Sequence, residues 1–212
     1  MADSKFAVPE LAAVEVHGMT REAFIVRGAL GAGAVYGVAA VGPYLSNAFA
    51  QTGGGDVAIL NYALTLEYLE ANYYTKQSKK AGLSGAAKTL ASLIAGHETA
   101  HVDALTKAIQ GAGGTPAALP KFAFPSSTKS EQGFLALASV LETTGVSAYN
   151  GQGPNLQNKA YLAAAGSIVQ IEARHSAAIN NMIGKSPTPS GAFDKPLEMP
   201  AVLKAVKPLI KA

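Results

Sequence analysis

Two copies of the tetrapeptide Glu-x-x-His occur in the chain, Glu98-Thr99-Ala100-His101 and Glu172-Ala173-Arg174-His175. On a helix this spacing sets the carboxylate and the imidazole one turn apart on the same face, so both can reach one metal ion. Each copy follows a lone glutamate on an apolar stripe, Glu67 and Glu142. The separations are 31 residues (67 to 98) and 30 residues (142 to 172). One Glu from each of two helices, with a Glu-x-x-His from each of two others, is the known ligand set of a two-metal carboxylate site inside a four-helix bundle. The expected ligands are Glu67, Glu98, His101, Glu142, Glu172 and His175. Each metal would take one histidine. Glu98 and Glu172 are placed to bridge the pair, and Glu67 and Glu142 to close one metal each. Four carboxylates balance the charge of two divalent ions.

The glutamates stand where apolar residues belong. Glu67 lies on the stripe Leu60, Ala63, Leu64, Ala71, Tyr74, and Glu98 on Ala91, Ile94, Val102, Leu105. Glu142 lies on Leu135, Ala138, Val146, Tyr149, and Glu172 on Ala165, Ile168, Val169, Ile179. Such stripes point inward. An unpaired ionised Glu in a core costs several kcal/mol, so each must be paired, protonated or metal-bound. A single Glu-x-x-His arises readily by chance. Two copies with matched upstream glutamates are far more specific. The bland reading is a bundle whose acids are merely hydrogen-bonded or hydrated.

Three residues could form an outer layer. Glu70, one turn after Glu67, is either an extra ligand, an outer partner or, as the commoner reading, an exposed helix residue. Tyr74 and Tyr149 each lie seven residues past their glutamates. Core packing with a hydroxyl partner is the default for both, and support of a ligand or radical transfer the sharper reading. His97 is expected to face away from Glu98 at the surface or boundary. His17 and Asp103 read as solvated. No catalytic residue is assigned.

Composition narrows the chemistry. The chain has 212 residues, 49% hydrophobic and 15% charged, with a net charge of +3. That suits one domain with an appendage. No basic run with interleaved aromatics is present, which excludes a nucleic-acid partner. Cysteine is absent, so disulfides, thiolate sites and Cys nucleophiles are excluded. Carboxylate and imidazole ligands suit Fe or Mn, and two ions of either are the expected cofactor.

The elements that must position these groups follow from the punctuation. Gly53-Gly54-Gly55 marks a boundary, giving an N-terminal segment 1–52, a bundle 53–184 and a tail 185–212. A first helix is expected over 56–79, capped by Asp56, and a second over 84–110 after the Gly82 turn. Residues 111–130 carry Pro116, Pro120 and Pro125 and fit the long crossover between helices 2 and 3. Thr128-Lys129-Ser130-Glu131 reads as a capping box for helix 3, which ends near Gly151. Pro154 suits the first turn of helix 4, which ends at Ile183 before Gly184. Residues 186–200 should be extended. A short last helix, 201–210, docks through Val202, Val206 and Leu209. The two Glu–Tyr helices, each followed by a Glu-x-x-His helix, form an internal repeat. The fold class is all-α: a four-helix bundle with one crossover, an N-terminal apolar helix and a tail.

The N-terminal segment reads differently. Thr20-Arg21-Glu22-Ala23-Phe24-Ile25-Val26-Arg27 leads into an uncharged run from Gly28 to Gln51 ending in Ala48-Phe49-Ala50. This resembles a twin-arginine export signal, with Glu22 where the second arginine would stand. The run is also long enough to span a bilayer at ~1.5 Å per residue, though rich in Gly and Ala. It could equally pack against protein. Residues 20–51 are therefore the expected contact with a membrane or a protein partner, and the expected location is the cell envelope or periplasm, or outside the cell. A cytoplasmic or membrane-anchored protein is the alternative.

The segments Leu64-Thr65-Leu66-Glu67-Tyr68-Leu69-Glu70, His97-Glu98-Thr99-Ala100-His101, Leu141-Glu142-Thr143-Thr144-Gly145-Val146-Ser147-Ala148-Tyr149-Asn150 and Ile171-Glu172-Ala173-Arg174-His175 resemble those of bacterial ferritin-like domain proteins. The group it resembles includes the desiccation-related and stress-linked members, and the tail Ala192-Phe193-Asp194-Lys195-Pro196-Leu197 is similar to that group's ending. The resemblance covers residues 56–210. It implies a four-helix bundle with a diiron or dimanganese centre, and O2 or peroxide as the small substrate. Iron would serve an oxidase or peroxidase, and manganese a catalase, with the metals ~3.5–4 Å apart. It also implies a homo-oligomer or a place in a larger assembly. The competing class is a non-enzymatic envelope protein, held by its N-terminal segment, in which a metal only stiffens the core.

Overall fold

A computed structural model describes Glu15–Val16, Met19–Thr20 and residues 55–211. The chain divides into two compact units, Met1–Tyr36 and Gly37–Ala212. In the first, strand β1 (Glu15–Val16) pairs antiparallel with β2 (Met19–Thr20). The expected apolar helix, on the run 28–51, and the solvated His17 lie outside the described residues.

The second unit is the bundle. Helix α1 (Gly55–Asn72) continues into a π-helical turn, Tyr73–Gln77. Its residues from Leu60 to Glu67 are all buried, so α1 is covered on every side. Helix α2 (Gly85–Gly111) buries Ala87, Ala91, Ile94, Glu98, His101, Leu105 and Ile109, a single stripe at helical spacing. Helices α3 (Glu131–Gln152) and α4 (Lys159–Met182) form the second pair. The pairs α1–α2 and α3–α4 make the main contacts, and α3 also packs on α1. This is the expected all-α four-helix bundle.

The crossover between α2 and α3 is held in two ways. The Asn61 side chain donates to Thr115 O (3.2 Å) and accepts from Ala117 N (2.6 Å). Further on, β3 (Lys121–Phe122) pairs antiparallel with β4 (Ile210–Lys211), so the chain's end straps the crossover. Before that strand, helix α5 (Met199–Val206) and a 3-10 turn, Lys207–Leu209, bury Val202, Leu203, Val206 and Leu209. The docking through Val202, Val206 and Leu209 is as expected.

Several end signals act elsewhere than anticipated. Asp56 does not cap its own helix; its carboxylate accepts from Gln157 N and Asn158 N, both at 2.8 Å, and so fixes the approach to α4. Pro154 lies in a separate 3-10 turn, Gly153–Asn155, and α4 starts later behind Asn158, which accepts from Ala160 N. The capping-box reading also shifts. Ser130, not Thr128, caps α3 by accepting from Gly133 N, while Glu131 accepts from Ser84 N and Oγ. Residues 186–200 are not extended throughout: they form turns, and Pro200 sits in the first turn of α5, where a missing N–H costs nothing.

Candidate metal centre

Four helices each deliver one part of a buried cluster. Helix α1 brings Glu67, α2 brings Glu98 and His101, α3 brings Glu142, and α4 brings Glu172 and His175. All four glutamates have no exposure, and His101 and His175 are 9% and 4% exposed. The structure thus brings together every residue that spacing alone had nominated.

The cluster has two overlapping halves. Glu67, Glu98, His101 and Glu172 offer ligand atoms within 4.8 Å of one another, and so do Glu98, Glu142, Glu172 and His175. Glu98 and Glu172 belong to both, the position expected of bridging groups. His101 Nδ1 lies 2.9 Å from Glu172 Oε1, 3.2 Å from Glu67 Oε2 and 3.4 Å from Glu98 Oε2. His175 Nδ1 lies 3.1 Å from Glu98 Oε1 and 3.3 Å from Glu142 Oε2.

These short distances are mostly not hydrogen bonds. Among the described residues, both oxygens of Glu98, Glu142 and Glu172 and Nδ1 of His175 have no aligned hydrogen-bond partner. Buried polar atoms are normally paired, because each orphan costs about 1–3 kcal/mol. Here the lone pairs converge on shared points instead of meeting donors. That is the geometry of ligands around a cation, and it fits carboxylate and imidazole donors to a metal.

The electrostatics agree. Burial, and then the charge of Glu172, push Glu67 well above the usual carboxylate range. Burial raises Glu142 to about 8 against the pull of His175. Burial would raise Glu98 too, but the nearby His101 and His175 rings outweigh it and hold it at about 2. For the imidazoles burial acts downward. The surrounding carboxylates, Glu172 foremost for His101 and Glu142 for His175, lift them to about 12 and about 11. The cluster therefore demands positive counter-charge.

Both tyrosines reach the cluster. The Tyr149 hydroxyl donates to Glu67 Oε1 at 2.5 Å, across from α3 to α1. Tyr74, 1% exposed, lies against Glu142, and burial and then that carboxylate raise its hydroxyl well above the usual phenol range. Each tyrosine thus lies by the other helix's glutamate, but only Tyr149 hydrogen-bonds to it. The π-turn starting at Tyr73 buries two consecutive tyrosines, Tyr73 stacking on Phe134 at 4.6 Å while Tyr74 reaches inward.

Two sequence readings are corrected. Glu70 is not exposed; it is 3% exposed, and burial and then the charge of Glu172 push it well above the usual range. Gly145, its counterpart in the repeat, lies beside it. A Cβ there would lie 3.4 Å from Glu70 Oε1 and 3.7 Å from Glu172 Oε2. His97 does not point away from the cluster: its Nδ1 is 2.9 Å from His175 Nε2. It is half-buried, at the boundary as expected, and from there it meets the outer nitrogen of His175. Asp103 is exposed, as expected.

A family model described as "Ferritin-like domain" matches residues 55–185. The chain belongs to the ferritin-like domain family. The matched span runs from the first residue of α1 to just past α4, so the family's domain is this bundle with its Glu/His cluster. No curated protein matches the chain. The ferritin-like bundle and a buried cluster that could bind metal are thus established, and they define a ferritin-like metal protein.

Proposed function

We infer that the cluster holds two divalent ions, iron or manganese, and that the protein is a redox enzyme acting on O2 or peroxide. The observation that carries this is the convergence of unpaired buried carboxylate oxygens and imidazole nitrogens in two halves sharing Glu98 and Glu172. Glu67 and His101 complete one half, and Glu142 and His175 the other. A pair of such ions supplies electrons to O2 or peroxide, or dismutates peroxide.

The chain's own groups prepare the place. Tyr149 holds Glu67 in one orientation through its hydroxyl. Tyr74 lies near Glu142 without a hydrogen bond to it. Glu70 adds a fifth carboxylate, which suits a site that passes through a higher metal charge. An apolar cavity bordered by Leu60, Ala63, Leu66, Leu105, Ala148 and Tyr149 adjoins the Glu67 side. Its walls favour a small uncharged oxidant and exclude ions. Tyr149 forms part of this wall and bonds Glu67 behind it.

The location belongs to the same proposal: the export-like residues 20–51 place the protein in the envelope or anchor it to a partner. Among the described residues no helix is long and apolar enough to cross a membrane.

The test is elemental analysis of the full chain, purified without chelator or added metal, beside the Glu98→Ala/Glu172→Ala double variant. Two Fe or Mn per chain, lost in the variant, is the expected result and selects the oxidase or catalase assay. No metal in the wild type, and none taken up from Fe(II) or Mn(II), would sink the reading.

A further inference from the structure

The two halves of the cluster share a pattern but not their neighbours. The Glu-x-x-His segments are 74 residues apart (98 to 172, 101 to 175), so His97 in α2 corresponds to Ile171 in α4. His97 is half-buried and lies beside His175, with the rings inclined by only 15° and centroids 5.1 Å apart. Its Nδ1 meets His175 Nε2 at 2.9 Å. The other nitrogen of His175, Nδ1, points into the cluster at Glu98 and Glu142. At the position equivalent by the repeat, Ile171 has an aliphatic side chain and offers no acceptor. The His101 side chain is also the more exposed, 11% against 5%.

A neutral imidazole has one N–H and one lone pair, and the partner of one nitrogen decides what the other presents. If His175 is to offer a lone pair at Nδ1, its proton must sit on Nε2 and needs an acceptor there. His97 Nδ1 is that acceptor, with its own proton on Nε2. Outer hydrogen bonds of this kind orient a ligating imidazole and raise its basicity.

We propose that His97 is a positioning residue: it fixes the tautomer of His175 and makes the Glu98–Glu142–Glu172–His175 half the tighter of two unequal metal positions. This rests on the two-metal reading. The chain should therefore fill in order, first the His175 half and then the His101 half. Stacking alone would not produce this order, since a ring without an acceptor could stack as well.

The experiment is titration of the full-length, metal-stripped protein with Co(II), followed by calorimetry and by visible absorption. The wild type should bind two Co(II) in two resolved steps. His97→Phe keeps the ring but removes the acceptor; it should weaken the tighter step ~10–100-fold and leave the weaker one in place. His97→Asn carries an oxygen near the Nδ1 position and should restore most of the loss. Ile171→His leaves His97 untouched and should tighten the weaker step by giving His101 an acceptor. Wild-type affinities in His97→Phe, equal losses in His97→Phe and His97→Asn, or no tightening in Ile171→His would each overturn the assignment. Absence of Co(II) binding by the wild type would instead remove the two-metal reading and the assignment with it.

Discussion

At the scale of single residues, the site is a contest between protons and metal. With the imidazoles of His101 and His175 lifted to about 12 and about 11, both carry a proton at pH 7 when their counter-charge is a proton and not a cation. A metal must displace those protons. Metal uptake should therefore release at least one proton per histidine, and affinity should fall as pH is lowered. Calorimetry in buffers of different ionisation enthalpy measures the release directly; uptake without proton release would contradict this account. Tyr149→Phe removes the hydroxyl that orients Glu67. It should weaken metal binding ~10–100-fold with little change in fold, read by the same titration. The six clustered Glu and His residues and Tyr149 were legible from residue type and spacing. Glu70 was not, because an acid one turn past a core glutamate looks like ordinary helix surface until packing encloses it.

At the scale of elements, the tail acts as a strap over the second helix pair. Leu197 N donates to Ser147 O at 3.0 Å, and the chain crosses α3 at Gly151. A Cβ on Gly151 would lie 2.0 Å from Leu197 O. Gly151→Ala should force the strap off α3 and cost about 1–3 kcal/mol. Limited proteolysis within residues 186–198 should speed up, with metal stoichiometry unchanged. Helix lengths and the crossover followed from periodicity and proline spacing. The end signals were less faithful. Asp56, Glu131 and Pro154 each carry a plausible local role in sequence, and each is used for a contact or turn that only packing creates.

At the scale of the whole molecule, stability and loading are linked. A buried ring of carboxylates without counter-charge opposes folding, so metal should stabilise the bundle as well as equip it. At a hundred times its Kd, a bound ion adds roughly 2.7 kcal/mol by mass action. Thermal melting of chelated and reloaded protein checks this; equal Tm values would argue against a metal within the core. Deleting residues 185–212 exposes the surface that Val202, Leu203, Val206 and Leu209 cover. At about 1.5–3 kcal/mol per buried apolar side chain, the truncated chain should lose several kcal/mol and melt earlier.

The sequence by itself determined the four helices, their order and the six Glu and His residues of the buried cluster, because helical periodicity and an acid in an apolar stripe are local facts. It also determined the repeat, since both halves keep the same spacing. Only the tertiary structure decided how the halves differ. Glu70 enters against Gly145, His97 reaches His175 where Ile171 stands in the other half, and the last residues pair with the crossover. Those choices depend on which helices face each other and at what distance. Such contacts join positions far apart in the chain, and no local pattern records them.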